Sequence, residues 1–594
     1  MRPRRRDAGP AAAFVLLVIG LEIAHAWPVR DHALELDPVA LAYGVVMLLG
    51  SAIALGLVVG SVRRGLVFVA VAWTCLCLVS IAKRRYLGAP LYPWDLLRAR
   101  EVVGIWDELP GTLQASAIAA LVALAAAFAA CVTSLIQAAR DVKRWAQQLL
   151  VGAVVAIVLL LPFTSLVRSW IPGPGNALAV LLHLRNVRWW PEDNYRVNGF
   201  TAGFLISLDV LQIPRPPVTP ASLPPSCAPD APPTLPVVAT SDTPRPDVIV
   251  LLLESFFDPL TLGIPFSRDP IPFLRRLMHA SEDAELHSTL WAHGTANAEF
   301  EILTGLSTAF LPPDSVVFFH YLHAPIVSLA TELARVGYRT EAVHPNAGWF
   351  YARRDAYRWL GFDRAWFQED FIPPREARGR ISDDRVFFAK LRERLAATDG
   401  TPLFLWGVTL GTHGPYAPTR AARCDLGVGK DVDPTGPGSF PTLRTYSCLL
   451  ERLDRRLSEF VAALNAREKP YVLFAYGDHL PPLGDALDAY RDPIGADAPY
   501  GGPRYSRTPL LLATNTDAVL PRGYHGGFNF LAPAILRAAG VAPRCQFALL
   551  DPLHARVDLM HAGLLASDGM DASLRADVQN YWALTYRLLL EPGR

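Results

Sequence analysis

Long apolar runs separated by short clusters of Arg and Lys fill the first 170 residues. Residues 11–27 carry only Glu22 and His25 among apolar positions, and residues 38–62, 65–82, 112–139 and 145–167 carry no acidic or basic side chain. Each run is close to or above the ~20 residues that a helix needs to cross the hydrocarbon core. The pattern therefore predicts five spans in a membrane domain of residues 1–170. Residues 171–211 mix Trp189, Trp190, Phe200 and Phe204 with scattered charge, as helices lying along a membrane surface do. Residues 212–246 hold 12 Pro in 35 positions, which predicts a semi-rigid extended spacer.

From Asp247 the period changes. Val248–Leu253 (VIVLLL) is a continuous apolar run of the kind expected for a strand buried on both faces. Further strands are predicted at 338–343, 402–408, 471–476 and 509–513, and helices at 325–336, 443–464 and 530–540. Strand–helix alternation over residues 247–594 predicts an α/β domain with a mostly parallel central sheet. Ligands in such sheets bind beyond the carboxyl ends of strands, which directs attention to polar residues there.

Composition agrees with a membrane protein. Hydrophobic residues make up 51% of the 594, and the mean hydropathy is +0.23. A net charge of +1 supplies no basic excess for phosphate contacts, so a nucleic-acid partner is excluded. The N-terminal arginines, Arg63, Arg64, Arg140, Lys143 and Arg144 fall on one side of the predicted spans. The positive-inside rule makes that side cytoplasmic, although Lys83, Arg84 and Arg85 oppose the trend. With five spans and an inner N-terminus, the α/β domain lies outside the cytoplasm, in a bacterial inner membrane protein. Glu22 has no second charge beside it in the apolar runs, so it reads as an interface or packing residue. None of the seven Cys forms a CxxC or zinc-type spacing; in an extracytoplasmic domain Cys424 and Cys448 are placed to pair across a short loop.

Several residues carry possible chemistry. Gly294-Thr295 opens a predicted helix, where a Thr is either an ordinary N-cap or a hydroxyl beside an anion site. Glu254 directly follows VIVLLL, and Asp478-His479 follow the strand YVLFAY and Gly477. With Thr295 they form a set of three oxygen donors and one nitrogen, which suits manganese or magnesium and also admits zinc. His413 lies between Gly411 and Gly414 after another strand. His344 ends a strand ahead of Trp349–Asp355 (WFYARRD), where Arg353 or Arg354 is suited to grip a phosphate.

Strand-Glu254-Ser, Gly294-Thr295 before Asn-Ala-Glu-Phe-Glu, Thr-His413-Gly-Pro-Tyr and Gly-Asp478-His479, in that order, resemble the lipoteichoic acid synthase and membrane-anchored phosphoglycerol transferase family. That family belongs to the alkaline phosphatase and sulfatase superfamily. Residues 84–96, RRYLGAPLYPWDL, resemble its loop before the fourth of five spans. The resemblance implies an extracytoplasmic catalytic domain in which Glu254, Thr295, Asp478 and His479 bind one divalent ion, typically manganese. Thr295 would be the nucleophile, with His413 and Arg354 at substrate-contacting positions; His344, at its strand end, is a further candidate for binding substrate. The family's nearby Trp is displaced, with Ala352 at the matching place and Trp349 upstream. No Cys-x-Pro-x-Arg sulfatase signature surrounds Thr295. The implied reaction moves glycerophosphate from phosphatidylglycerol to an extracytoplasmic glycan or polymer hydroxyl. Alternatives are phosphoethanolamine transfer, phosphodiester or sulfate-ester hydrolysis, and a non-catalytic membrane scaffold with a degenerate enzyme domain.

Overall fold

The computed structural model describes residues 8–26, 36–87, 90–98, 111–160, 182–184, 191–207, 213, 215–219, 227, 244–288, 294–311, 315–373, 384–397, 400–429, 440–481, 483, 507–561, 564 and 570–591. The chain divides into two compact units, Met1–Ile213 and Pro214–Arg594.

The first unit is helical: α1 (Ala8–Ala26), α2 (Pro38–Val58), α3 (Val62–Leu87), α4 (Gly111–Ala138), α5 (Val142–Leu160) and α6 (Pro191–Ser207). Among the described residues, four stretches, Gly9–Ala26, Pro38–Val58, Val62–Arg84 and Gln114–Ala138, are long and apolar enough to cross a membrane. Large apolar side chains point outward from α4 and α5, including Leu121, Val122, Phe128, Leu150 and Val154, a pattern that water disfavours and lipid accepts. The predicted fifth span begins within α5, but Lys143 and Arg144 lie in its first turn and residues 161–167 lie outside the described set.

Helix α6 differs from the expected surface helix. Tyr195, Asn198, Phe200, Thr201 and Ala202 are all buried, and Trp73 Nε1 of α3 donates to Thr201 Oγ1 at 2.8 Å. The helix breaks at Gly199, whose φ of 80° is left-handed, and a Cβ there would run into the Glu22 carboxylate. Glu22 is a packing residue: it is 2% exposed and accepts the Thr201 N–H at 3.0 Å. Residues 171–181 and 185–190 of the predicted surface segment lie outside the described residues.

Among the described residues the second unit has eight strands: β1 (Asp247–Leu253), β2 (Glu285–His287), β3 (Arg339–Val343), β4 (Arg364–Trp366), β5 (Leu403–Val408), β6 (Tyr471–Gly477), β7 (Arg507–Thr514) and β8 (His525–Gly527). They lie in the order β4-β3-β5-β1-β6-β7-β2-β8. Only β7 runs antiparallel to its neighbours; every other pairing is parallel. All residues of β1, β5 and β6 are buried, as strands covered on both faces must be. Ile249, Leu251 and Leu253 of β1 pack on one face with Phe387, Leu391, Leu453 and Leu457 from helices Asp384–Ala396 and Pro441–Asn465.

The predicted helix at 325–336 starts later, as Leu329–Arg335. Ser328 captures the Ala330 and Thr331 N–H groups, and Thr331 Oγ1 returns a bond to the Ser328 N–H at 2.8 Å. This capping box sets the start that Pro325 alone did not. Two disulfides are present, Cys424–Cys448 and Cys227–Cys545. The second corrects the picture of residues 212–246 as a free spacer, because it pins the Pro-rich segment to the α/β unit at Cys227.

Candidate active site

Three strand ends and one helix start converge at the carboxyl edge of β1, β5 and β6. At the end of β1 the chain places Glu254 inward, 3% exposed. Ser255 then turns it away with a left-handed φ of 53°, a strained geometry for a non-glycine residue that tends to gather at functional sites. Ser255 serves both acids: its hydroxyl donates to Glu254 Oε1 at 2.7 Å and its N–H to Asp478 Oδ1 at 2.8 Å. At the end of β6, Gly477 lets the two strand exits cross. A Cβ there would sit 2.0 Å from the Phe256 carbonyl oxygen. Asp478 and His479 follow, 0% and 2% exposed.

Helix Thr295–Thr304 is buried along its whole length. Its N-cap is Gly294, with φ 98° and no side-chain cap bond. Thr295 is therefore the first helical residue and not the cap. Its hydroxyl is free of capping duty and lies 3.4 Å from Glu254 Oε2, beside the N–H groups and positive dipole end of the helix.

Glu254, Asp478 and His479 each offer a ligand atom within 4.8 Å of the others. His479 Nε2 lies 3.2 Å from Asp478 Oδ2 and 3.8 Å from Glu254 Oε1. Asp478 Oδ2 is buried and accepts no hydrogen bond, and burial together with the Asp478 charge pushes the Glu254 carboxyl up to about 8. Two buried carboxylates at this spacing repel one another when both are charged, unless a cation joins them. The donor set fits a divalent ion, with the Thr295 hydroxyl as a fourth donor.

A pH dependence follows for the metal-free protein. Folded Glu254 holds its proton up to about 8, against 4.5 for the unfolded group. The stability that this proton supplies is complete below ~4.5 and is lost as the pH rises through ~8. Thermal melting of chelator-treated protein should show that decline between pH 5 and 8, and Glu254→Gln should remove it. Equal slopes in the two proteins would contradict the arrangement.

The flank of the site comes from β3 and β5. Thr409 Oγ1 accepts the Glu254 N–H at 2.9 Å and the Thr412 hydroxyl donates to the Glu254 carbonyl oxygen. These bonds moor the loop that carries His413, which is exposed. Asp384 Oδ1 accepts the Leu410 and Gly411 N–H groups at 3.0 and 2.9 Å, and Arg420 donates to the carbonyls of Gly411, His413 and Pro415. His344, at the end of β3, is 2% exposed. Its Nδ1 accepts the Asn346 N–H at 3.0 Å. Burial and repulsion from Arg353 and His413 hold it well below the usual histidine range. It is therefore neutral with Nε2–H as a donor.

Arg354 does not join this wall. Its side chain is 53% exposed, pairs with Glu369 and covers the Phe367 ring at 4.8 Å. The adjacent Arg353 is 2% exposed, binds Glu299 Oε1 through Nε and Nη2 at 2.9 and 2.8 Å, and acts electrostatically on both Glu254 and His344. Tyr351 and Ala352 just before it both have left-handed φ, 55° and 54°, so the helix begins only at Arg353. That kink turns Arg353 inward and Arg354 outward. Tyr351, 5.1 Å from the Arg353 guanidinium, provides an aromatic face beside it. Glu299 and Ser255 also escaped sequence reasoning; the recoverable signal was Glu299, one helical turn after Thr295 on the same face. Replacing Arg354 by Ala should change turnover less than about 2-fold. Arg353→Lys, which loses the planar fork, should cost ~10-fold or more. Steady-state rates of the two variants check this, and the reverse order would restore Arg354.

The α/β sheet carries at its carboxyl edge a buried group of residues able to hold a metal ion. Residues 246–541 match the Sulfatase family, and this domain belongs to it, within the alkaline phosphatase and sulfatase superfamily. A Rhizobium meliloti (strain 1021) protein provisionally named for cyclic beta-1,2-glucan modification is 29% identical over 542 residues, covering 89% of this chain and 81% of that protein. The capsular polysaccharide biosynthesis protein RkpI of the same strain is 27% identical over 254 residues, 42% of this chain and 44% of its own length. Among solved structures, the Streptococcus pyogenes phosphoglycerol transferase GacH aligns with TM-score 0.46 and 18% identity, over 58% of this chain and 86% of its own. The lipooligosaccharide phosphoethanolamine transferase EptA of Neisseria meningitidis aligns with TM-score 0.46 and 14% identity, over 88% and 95%.

Proposed function

We propose that the chain is a membrane-anchored phosphoglycerol transferase that moves glycerophosphate from phosphatidylglycerol, through a covalent bond to Thr295, onto a glycan hydroxyl outside the cytoplasm. The observation that carries this reading is the Thr295 hydroxyl, free of capping and 3.4 Å from Glu254 Oε2, at the edge of the buried Glu254–Asp478–His479 cluster. Glu254, Asp478, His479 and Thr295 would hold one divalent ion, manganese by the resemblance. When bound, that ion supplies charge neutralisation and a lowered pKa for the Thr295 hydroxyl.

The chain's own groups do the rest. Arg353 and the Nε2–H of His344 bind the non-bridging phosphoryl oxygens, and the N–H groups at the start of the Thr295 helix face the same charge. Deprotonated Thr295 Oγ1 forms the new bond to phosphorus while the bond to the diacylglycerol oxygen breaks, protonated His413 delivers its proton to that leaving oxygen, and the return step restores both groups. In the return step the acceptor hydroxyl attacks phosphorus, His413 takes its proton, and Thr295 is released.

Two disulfides support an extracytoplasmic placement, since such bonds persist in oxidising compartments. We place a fifth span at 145–167, which sets the catalytic domain opposite the N-terminus. The name of the Rhizobium relative favours a cyclic beta-1,2-glucan as acceptor. Purified protein given headgroup-labelled phosphatidylglycerol and that glucan should label the glucan, and labelled phosphatidylethanolamine should not. Transfer from phosphatidylethanolamine alone would move the assignment to phosphoethanolamine; label released only to water would make it a hydrolase.

A further inference from the structure

A second group of metal-ligating side chains lies on β2 and the edge strand β8. Strands β2 and β8 run parallel, with Glu285 opposite His525 and His287 opposite Gly527. Opposed residues on paired strands, and residues two apart on one strand, share a face. Glu285, His287 and His525 therefore project together, and a ligand atom from each lies within 4.8 Å of the others. His287 Nε2 is buried and has no hydrogen-bond partner, an uncommon state for a ring nitrogen. His525 Nδ1 stands 3.7 Å from Glu285 Oε2, and Arg507 Nη1 reaches the same oxygen at 3.3 Å.

We propose that Glu285, His287 and His525 form a second divalent-cation site of the zinc class, separate from the Thr295 centre. Two imidazoles and one carboxylate are a donor set that zinc accepts in tetrahedral sites with a fourth position left to water. The nitrogen majority distinguishes it from the oxygen-rich Thr295 centre. With bonds of about 2.1 Å, ligand atoms around a tetrahedral zinc stand roughly 3.4 Å apart. Small side-chain rotations reach that distance from the spacing seen here. Arg507 is the competing partner of Glu285, and its bond uses Oε2 alone.

The position gives the site a purpose. The sheet order sets β2 two strands from β6, about 10 Å away, and the two run in the same direction. His287 thus ends β2 at the same edge of the sheet that carries Asp478. From there the chain runs through residues 289–293 to Gly294 and Thr295. An ion bound to β2 and the edge strand β8 steadies the root of the segment that delivers the nucleophile.

The test is metal counting on the full chain in detergent, stripped with chelator, reloaded with zinc at stoichiometric excess and desalted. His525 is exposed, so His525→Asn is expected to fold, and His287→Gln provides a second variant. Each should hold one zinc equivalent fewer than the parent protein, with Asp478→Asn as the reference for loss of the other ion. In the Asp478→Asn protein, X-ray absorption should show two imidazoles on the remaining zinc. Equal zinc content in the parent and His525→Asn proteins, or zinc without imidazole ligands in the Asp478→Asn protein, would overturn the assignment. Either result leaves the Thr295 reading untouched.

Discussion

Replacing Thr295 by Ala is expected to lower turnover by at least ~10⁴-fold while leaving the fold intact. The expectation of a normal fold comes from the cap. Gly294, with no side-chain bond, starts the helix, so removing the Thr hydroxyl takes no hydrogen bond from the helix terminus. It removes only the contact to Glu254 at 3.4 Å. Glu254, Asp478 and His479 remain, so metal binding should weaken and not vanish. Thr295→Ser keeps an oxygen in place and should recover a measurable part of the rate. Rates on phosphatidylglycerol with melting curves for both variants check the two halves. A Thr295→Ala protein with substantial activity would require a different nucleophile.

Asp478→Asn should have an effect of similar size for another reason. The Asp478 carboxylate is fully buried, with Oδ1 held by the Ser255 N–H at 2.8 Å and Oδ2 accepting no hydrogen bond. Asn presents an acceptor to Ser255 equally well, so the strand exit keeps its shape. Its NH₂ group then points where Oδ2 stood and cannot ligate a cation. We expect loss of the ion at this centre and a fall in rate of ~10³-fold or more. Burial and the Asp478 charge together push Glu254 up to about 8. Removing that charge leaves burial as the remaining cause, so the metal-free variant should lose less stability than the metal-free parent between pH 5 and 8. Metal analysis and paired melting curves across that range check this, and an equal or steeper decline in the metal-free variant would contradict the part given to the Asp478 charge.

The parts of this protein that were legible in its sequence are those governed by apolar periodicity. Val248–Leu253, Tyr471–Tyr476 and Leu443–Leu464 each lie within the element observed, because full burial on both strand faces and a wide apolar helix stripe leave a direct mark on composition. Strands β2, β4 and β8 have three residues each, too few to show a period, and were found only by their pairing. Helix Ala572–Leu590, capped by Asp571, was also not predicted. In the site, Glu254, Asp478 and His479 could be read because each directly follows a recognisable strand. Arg353 was passed over for Arg354 because the choice depends on two left-handed residues, Tyr351 and Ala352, which are neither Gly nor Asn and announce no such turn. Cys227 and Cys545 are 318 residues apart, and no local pattern could join them. The same holds for Glu285, His287 and His525, whose proximity exists only through the pairing of β2 with β8.

The central claim is that Thr295 carries the transferred group. Intact-mass measurement of the purified full-length chain, after exposure to mixed phospholipids without acceptor, tests it most directly, with fragmentation to locate the adduct. The account predicts added mass equal to one glycerophosphoryl group, located on Thr295, absent from Thr295→Ala and discharged when a glycan acceptor is supplied. An unmodified Thr295 under conditions where the same preparation transfers label, or the adduct on another residue, would contradict it.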